Sequence, residues 1–491
     1  MHRNSRYSVN PHALYTTLSE ALSMVYRQTV TQLSIESFGT ALSTPLSADN
    51  EWVQLADQMP WQKLSEAYQL AFPSKLGRAG KPFRLLYGAQ LIKQRTGLSD
   101  RDVVEAIRDT PAYQYFIGIP QYQLKVPFDH TALSYFRRRI APISELIRNI
   151  MTDTVRERLQ RHLPTKSVMI TDATCTPVNI KFPQDTHLLN QARTNLEDDI
   201  KVMAKQLQIA PPRTYKREAH AKWTAFSRKP RRWGKLTQKQ IKAQLQYIRR
   251  DLRYVDEMID QGATLTAARA KRLGVIRLVF DQQDYMYRNH THRVENRIVS
   301  LSQPEIRPIM RGKSKSPVEF GPKIDVSIMD GVIDIERFSF NAFNESGDLG
   351  STLDHYYDVH GEYPDEVLLD TLYRTRENIG MCANLGIRVS GPRLGRKPKH
   401  VDPAQRHQDQ DAENRRGEIE RRFSFVKGNL GLDLVKEKTA ETIAVAVDTG
   451  VVMANLENLL AVLSRPISIT AKKNKTAVKI DYKVIVDLPE S

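Results

Sequence analysis

Three acids stand where a metal site for phosphate chemistry would need them. Asp172 closes the apolar stretch SVMITD and Asp370 closes EVLLD. Glu420 lies in NRRGEIERRFSFVKGNLGL, where Arg416, Glu420 and Lys427 recur at helical spacing and can share one face. Carboxylates are hard oxygen ligands suited to Mg²⁺ or Mn²⁺. Two such ions about 3.5–4 Å apart can activate the attacking oxygen and stabilise the leaving oxygen of a phosphoryl transfer. A carboxylate ringed by guanidinium and ammonium groups costs little to keep charged, and the same groups bind phosphate. Asp172, Asp370 and Glu420 are therefore read as ligands of two metal ions at a phosphodiester bond. Residue type alone does not single them out among 56 acids. A strand-end Asp is more often a cap or turn residue, and a Glu among arginines on a helix is more often a surface ion-pair member.

The elements that must position these acids follow from periodicity and punctuation. Ser167–Asp172 reads as a buried strand ending in an acid, and 174–182 as a second strand returning after a turn. Lys323–Met329 and Val332–Phe340 alternate on either side of Asp330-Gly331, the signature of a hairpin. Glu366–Asp370 is a short buried strand, 375–385 a helix capped by Gly386, and 387–390 a further strand. The helix carrying Glu420 is expected over 411–427, and a long apolar helix over 439–463. Hairpin strands followed by alternating helices and strands indicate an α/β fold with a mixed sheet, in which acids at strand ends and a facing helix can converge.

Upstream, short amphipathic helices are expected through residue 140, anchored by Trp52, Trp61 and Phe72. The last, 132–140, carries Arg137, Arg138 and Arg139, which fits a helix-turn-helix-like DNA binder as well as it fits a plain packing domain. Residues 185–310 read as a long basic helical insertion, densest at SRKPRRWGK with Arg231 and Arg232. Residues 201–300 alone carry 23 Lys and Arg against eight acids, most of the chain's net charge of +17. With Trp223 and Trp233 among them, these bases point to phosphate binding.

Composition excludes several classes. A pI near 9.6 favours a polyanionic partner, nucleic acid before a membrane surface. Two distant cysteines, Cys175 and Cys382, make neither a disulfide framework nor a zinc site. The opening MHRNSRYSVNPH has no apolar run, and the apolar stretch 451–463 is short and broken by Asn455, Glu457 and Asn458, so neither a signal nor a membrane span is expected.

At these residues the chain resembles the bacterial insertion-sequence transposases of the DDE class, in particular the insertion-sequence-five group. The motifs are RTGLSDRDVVEAIRDTPAYQYFIGI and FDHTALSYFRRR, the DAT run at Asp172, RGKSKSPVEFGPKI, YPDEVLLDTLYRTR with Tyr373 three residues after Asp370, and the Arg416/Glu420/Lys427 spacing. Two positions depart from the family pattern: Glu413 stands where a Tyr is usual and Leu372 where a Gly is usual. The interval from Asp370 to Glu420 is too short for the β-rich insertion of some relatives. The resemblance implies an RNase H-like catalytic core spanning 165–464, interrupted by the insertion 185–310, behind an N-terminal helical DNA-binding domain (1–150) and before a basic C-terminal tail (465–491). It implies Asp172, Asp370 and Glu420 as the acid triad with two Mg²⁺ or Mn²⁺ ions, Arg416, Lys427 and Tyr373 as DNA contacts, and double-stranded DNA (transposon ends and target) as partner. A homodimer or DNA-assembled multimer acting at the nucleoid in the bacterial cytoplasm, with no membrane partner, completes the expectation.

The activity so implied is binding of terminal inverted repeats, metal-dependent strand cleavage and strand transfer. Its rivals are a non-catalytic DNA-binding protein derived from a transposase, and an RNase H-like nuclease of another substrate class. The intact acid set speaks against the first. The N-terminal helices and the long insertion speak against the second.

Overall fold

A computed structural model describes residues 24–25, 38, 45–72, 78–163, 167–232, 234–310, 318–391, 395 and 403–464. The tail 465–491, Trp233, residues 311–317 and most of the loop 391–402 lie outside the described residues.

Among the described residues, seven α-helices precede the sheet: α1 (Glu51–Gln58), α2 (Trp61–Gln69), α3 (Phe83–Thr96), α4 (Asp100–Asp109), α5 (Pro111–Phe116), α6 (Thr131–Ile140) and α7 (Ser144–Gln160). Local chemistry sets their ends. The Ser99 hydroxyl accepts from the Asp102 N–H at the start of α4, and Gly97 takes a left-handed conformation (φ 69°) to end α3. Helix α7 follows the arginine-bearing helix and continues the helical region to Gln160.

The sheet has five strands in the order β3-β2-β1-β4-β5: β1 (Val168–Cys175), β2 (Lys323–Met329), β3 (Val332–Ser339), β4 (Glu366–Leu369) and β5 (Arg388–Val389). β1 pairs antiparallel with β2 and parallel with β4, so the sheet is mixed. Asp330 and Gly331 both take positive φ (53° and 77°), as the two-residue hairpin between β2 and β3 requires. Alternation divides the core. Met169, Val367 and Leu369 face α12 (Leu349–His360) and α13 (Arg376–Asn384). Ile170 and Leu368 face the layer of α14 (Pro403–Gly428) and α15 (Ala440–Leu463).

One expected strand is not there. Residues 174–182 do not fold back on 167–172. β1 runs on through Cys175, and the Thr176 and Val178 N–H groups continue to donate to Pro322 and Phe320. Asp172 is thus inside a strand rather than at its end. Its carboxylate accepts from the Ala173 N–H at 2.8 Å, which mimics a cap without breaking the strand.

The helices before the sheet do not form a separate body. Their core, including Phe83, Tyr87, Leu133, Phe136 and Met151, is continuous with α15. By length and composition α15 is apolar enough to cross a bilayer, yet 83% of its apolar stretch is buried inside the fold. The polar residues that interrupt it have partners. Asn455 exchanges two 2.8 Å hydrogen bonds with the backbone of Ile333 on edge strand β3, Asn458 donates to the Gly331 carbonyl, and Glu457 pairs with Arg95.

The insertion does have its own core, built by α8 (Asp185–Gln206), α10 (Gly234–Asp260) and α11 (Ala267–Arg288), with α9 (Lys216–Ser227) beside them. Leu196, Ile200, Leu245, Ile248, Val255 and Ile276 fill it. Part of its positive charge is used internally: Arg193 is buried against Glu197, Arg269 and Arg272 converge on Asp199, and Arg277 pairs with Asp256.

Candidate active site

The β1–β4 register pairs Ile170 with Leu368 and Thr171 with Leu369. The next step sets Asp172 beside Asp370, both half-buried and both on the face toward α14. Burial raises the Asp172 pKa to about 6. The Asp370 and Glu345 carboxylates add to that rise, while the Ala173 N–H and Arg416 oppose it. Two acids this close favour a cation between them. Glu345, in a short turn before α12 and paired with Lys323, is a neighbouring carboxylate that no sequence signal marked.

Helix α14 presents Ala412, Ile419 and Val426, seven residues apart, to the core. Arg416 is on the same side, only 13% exposed, and its guanidinium holds Glu413 at 2.7 Å and Glu420 at 3.3 Å. The Glu413 and Glu420 carboxylates and that of Asp370 all raise the Arg416 pKa. Arg416 therefore ties Glu420 electrostatically to the Asp172–Asp370 pair. Glu420 itself is exposed and turned onto this arginine. Its neighbour Glu418 instead faces Arg422, at 3.8 Å. Lys427 follows one helical stretch later and is half-buried.

Not every expected site residue belongs here. Tyr373 is 1% exposed, and its hydroxyl donates to Asp325 at 2.5 Å, so it packs inside the sheet–helix layer and offers no surface to DNA. Arg137 is also internal. It forks Asp100 at 2.9 and 2.6 Å and reaches Gln90, because the arginine run wraps around α6 and one member must face the core. Arg138 is exposed, and Arg139 lies over the Phe72 ring. In the insertion Arg231 and Arg232 are both exposed, with Arg232 donating to Gln184 and stacking near Phe226. Trp223 is half-buried beside Phe226 and His187.

Among the described residues, the group of three ligating side chains whose donor atoms all lie within 4.8 Å is Asp334, Glu336 and His355, not the expected triad. It was legible only as acids at alternate positions in VIDIERFSF, which puts both on one strand face. Burial, then Glu336, push Asp334 above the usual carboxylate range, against Arg148, His355 and Arg156. With the Arg148 and Arg156 guanidinium groups 3.9 and 3.8 Å from Asp334, the protein supplies its own counter-charge there.

Comparison with known proteins places this geometry. A family model described as "Transposase domain (DUF772)" matches residues 41–139, the helices from before α1 through α6. One described as "Transposase DDE domain" matches 367–457, from β4 through most of α15, and so includes Asp370, Arg416, Glu420 and Lys427. A Rhizobium meliloti protein named "Uncharacterized protein ORF8 in nfe locus" is 30% identical over 169 residues, 34% of this chain and 81% of that one. No solved structure matches. Two transposase models covering the leading helices and the Asp370–Glu420 interval, on a chain whose mixed sheet sets Asp172 beside Asp370, lead to one statement: the chain belongs to the insertion-sequence DDE transposases, metal-dependent enzymes that act on DNA.

Proposed function

We propose that this transposase is of the insertion-sequence-five-like group, that its sheet is an RNase H-like catalytic core, and that Asp172, Asp370 and Glu420 are its metal ligands. The observation that carries the reading is the register of β1 against β4, which brings two acids 198 residues apart into adjacent positions beneath a helix bearing Arg416 and Glu420. The strand order β3-β2-β1-β4-β5 supports the core assignment. Asp172 and Asp370 fit a hard divalent cation by donor type and by their mutual repulsion. Glu420 joins them by turning from Arg416, a side-chain rotation on an exposed residue.

Bound Mg²⁺ or Mn²⁺, two ions in this reading, supplies activation of the attacking oxygen and stabilisation of the leaving one. The chain's residues do the rest. Arg416, relieved of Glu420, turns its guanidinium to a phosphate oxygen near the scissile bond, and Lys427 adds a point charge farther along the helix. Arg138 and the exposed insertion bases, Arg231 and Arg232 among them, track the DNA backbone. The substrates are duplexes with the element's terminal inverted repeats and the target DNA. Two ends must be joined, so a homodimer or DNA-assembled multimer is part of the proposal, at work on the nucleoid in the bacterial cytoplasm.

The test is cleavage and joining of a labelled duplex carrying the element's end, with Mg²⁺. Asp172→Ala, Asp370→Ala and Glu420→Ala should each bind the duplex and fail to cut it. Normal cutting by any one removes that residue from the triad. Binding without cutting by the wild type would favour a DNA-binding protein that has lost catalysis.

A further inference from the structure

Strand β4 carries an acid at its start, Glu366, and another, Asp370, just past its end, four residues apart and therefore on one face, roughly 13 Å along the strand. Helix α14 meets them with two consecutive arginines. Arg416 attends Asp370. Arg415 forks Glu366, Nη1 to Oε2 at 2.6 Å and Nη2 to Oε1 at 3.1 Å. Glu366 is 3% exposed and also receives Arg388 of β5 at 2.8 Å. Arg415 is braced from its own helix by Asp411 at 2.8 Å.

We propose that the Arg415–Glu366 fork is a positioning clamp that fixes the rotation and axial register of α14, and so the place of Glu420 relative to Asp172 and Asp370. This rests on the metal-ligand reading above. Toward the C-terminal end of the helix, Arg422 donates to the Gly331 carbonyl at 3.3 Å, and the fork is the contact nearest Arg416. The buried apolar stripe of α14 is Ala412, Ile419 and Val426, with Phe423 and Phe425 partly buried against the same core near its C-terminal end, on an otherwise polar and charged helix. Apolar contacts are non-directional, so they fix the azimuth of a helix and its slide along the axis (one turn is about 5.4 Å) less sharply than a bidentate ion pair does. The helix is also crowded with interchangeable cations: Arg415, Arg416, Arg421 and Arg422. A rotation that exchanged Arg415 with Arg416 would preserve the net charge over the acids while turning Glu420 away. A planar fork on a buried carboxylate distinguishes the two, because bidentate pairing accepts one approach direction. Arg415 touches neither DNA nor the reacting atoms in this arrangement; it acts through the helix.

The experiment is a double-mutant cycle on the full chain with Glu366→Gln, Arg415→Gln and the pair, plus Arg415→Lys. It reads single-turnover cleavage at saturating end duplex, duplex affinity, and hydrogen exchange of the 411–428 amides. Each single Gln variant should lower cleavage about tenfold, leave affinity within about twofold, and speed exchange across α14 while the β1–β2 amides keep their protection. The double variant should fall no further than Glu366→Gln alone, since that single change already breaks the Arg415 pair, along with the Arg388 contact. Arg415→Lys, which keeps charge but not the fork, should resemble Arg415→Gln. Additive losses near a hundredfold, full activity in Arg415→Lys, or unchanged α14 exchange would each overturn the clamp. Exchange is read without turnover, so a wild type that does not cut would sink the catalytic reading while the exchange arm still judges the clamp.

Discussion

Tyr373 donates its hydroxyl hydrogen to Asp325 at 2.5 Å, across the layer between the short helical turn after β4 and strand β2. The same turn begins at Asp370, whose carbonyl accepts from the Tyr373 N–H at 3.1 Å. A buried tyrosine thus anchors the turn that presents a candidate metal ligand. Its phenol pKa is raised, by burial first and then by Asp325, so it stays a donor.

Tyr373→Phe should therefore cost about 0.5–1.5 kcal/mol of stability, since Asp325 would keep only its longer hydrogen bond from Thr171. Duplex affinity should not change. Thermal melting and a binding isotherm separate the outcomes: weakened affinity at unchanged melting temperature would restore Tyr373 as a DNA-binding residue.

Asp325 gives a pH signature. Burial pushes its pKa up to about 8, with Asp348 and Glu336 adding, against the hydrogen bonds from Tyr373 and Thr171. The folded protein therefore keeps a proton on Asp325 that the unfolded chain has released above about pH 4. From that pH upward the native state binds more protons than the unfolded one, so this group's contribution makes stability fall as pH rises toward 8 and level off beyond it. Asp325→Asn should flatten that decline. Denaturant midpoints measured between pH 5 and 9 would expose an unflattened slope.

The two neighbours on α6 should behave oppositely. Arg137→Ala removes the fork on Asp100 and leaves that carboxylate with Lys93 alone, a loss of about 1.5–3 kcal/mol. Arg138→Ala should melt like the wild type and bind DNA more weakly. Equal melting of the two variants would contradict the placement of Arg137.

In the insertion, replacing Arg231 and Arg232 by Ala should lower the slope of log affinity against log salt by about one for each phosphate no longer neutralised. An unchanged slope would move the DNA track elsewhere on the basic surface. Arg269→Ala should leave the slope alone and loosen the α8–α11 packing, because it is committed to Asp199.

Much of this architecture was legible because it is local. The Asp330-Gly331 turn, the Ser99 cap and the apolar periodicity of α3 and α15 are written in neighbouring residues. Asp370 at the end of β4 was readable for the same reason. The end of β1 was not: Asp172 bonds its own chain neighbour as a cap would, and only pairing with β2 carries the strand past it. The fate of Arg137, Tyr373 and Glu366 depends on partners 37 to 49 residues away, which periodicity does not reveal. The single core shared by the leading helices and α15 was hidden for a similar reason, since its two halves are far apart in the chain.

That shared core bears on how the molecule can be divided. Helix α15 is wrapped by α3, α6 and α7 on one side and by the sheet on the other. Expression of residues 167–464 alone would leave a 24-residue apolar helix half-uncovered, a surface prone to aggregation or to adventitious insertion into lipid. The leading helices without α15 would lose their central packing partner. Modular dissection is thus not open to this protein, and any domain-swap or fusion strategy has to keep the first helices and the last one in the same polypeptide.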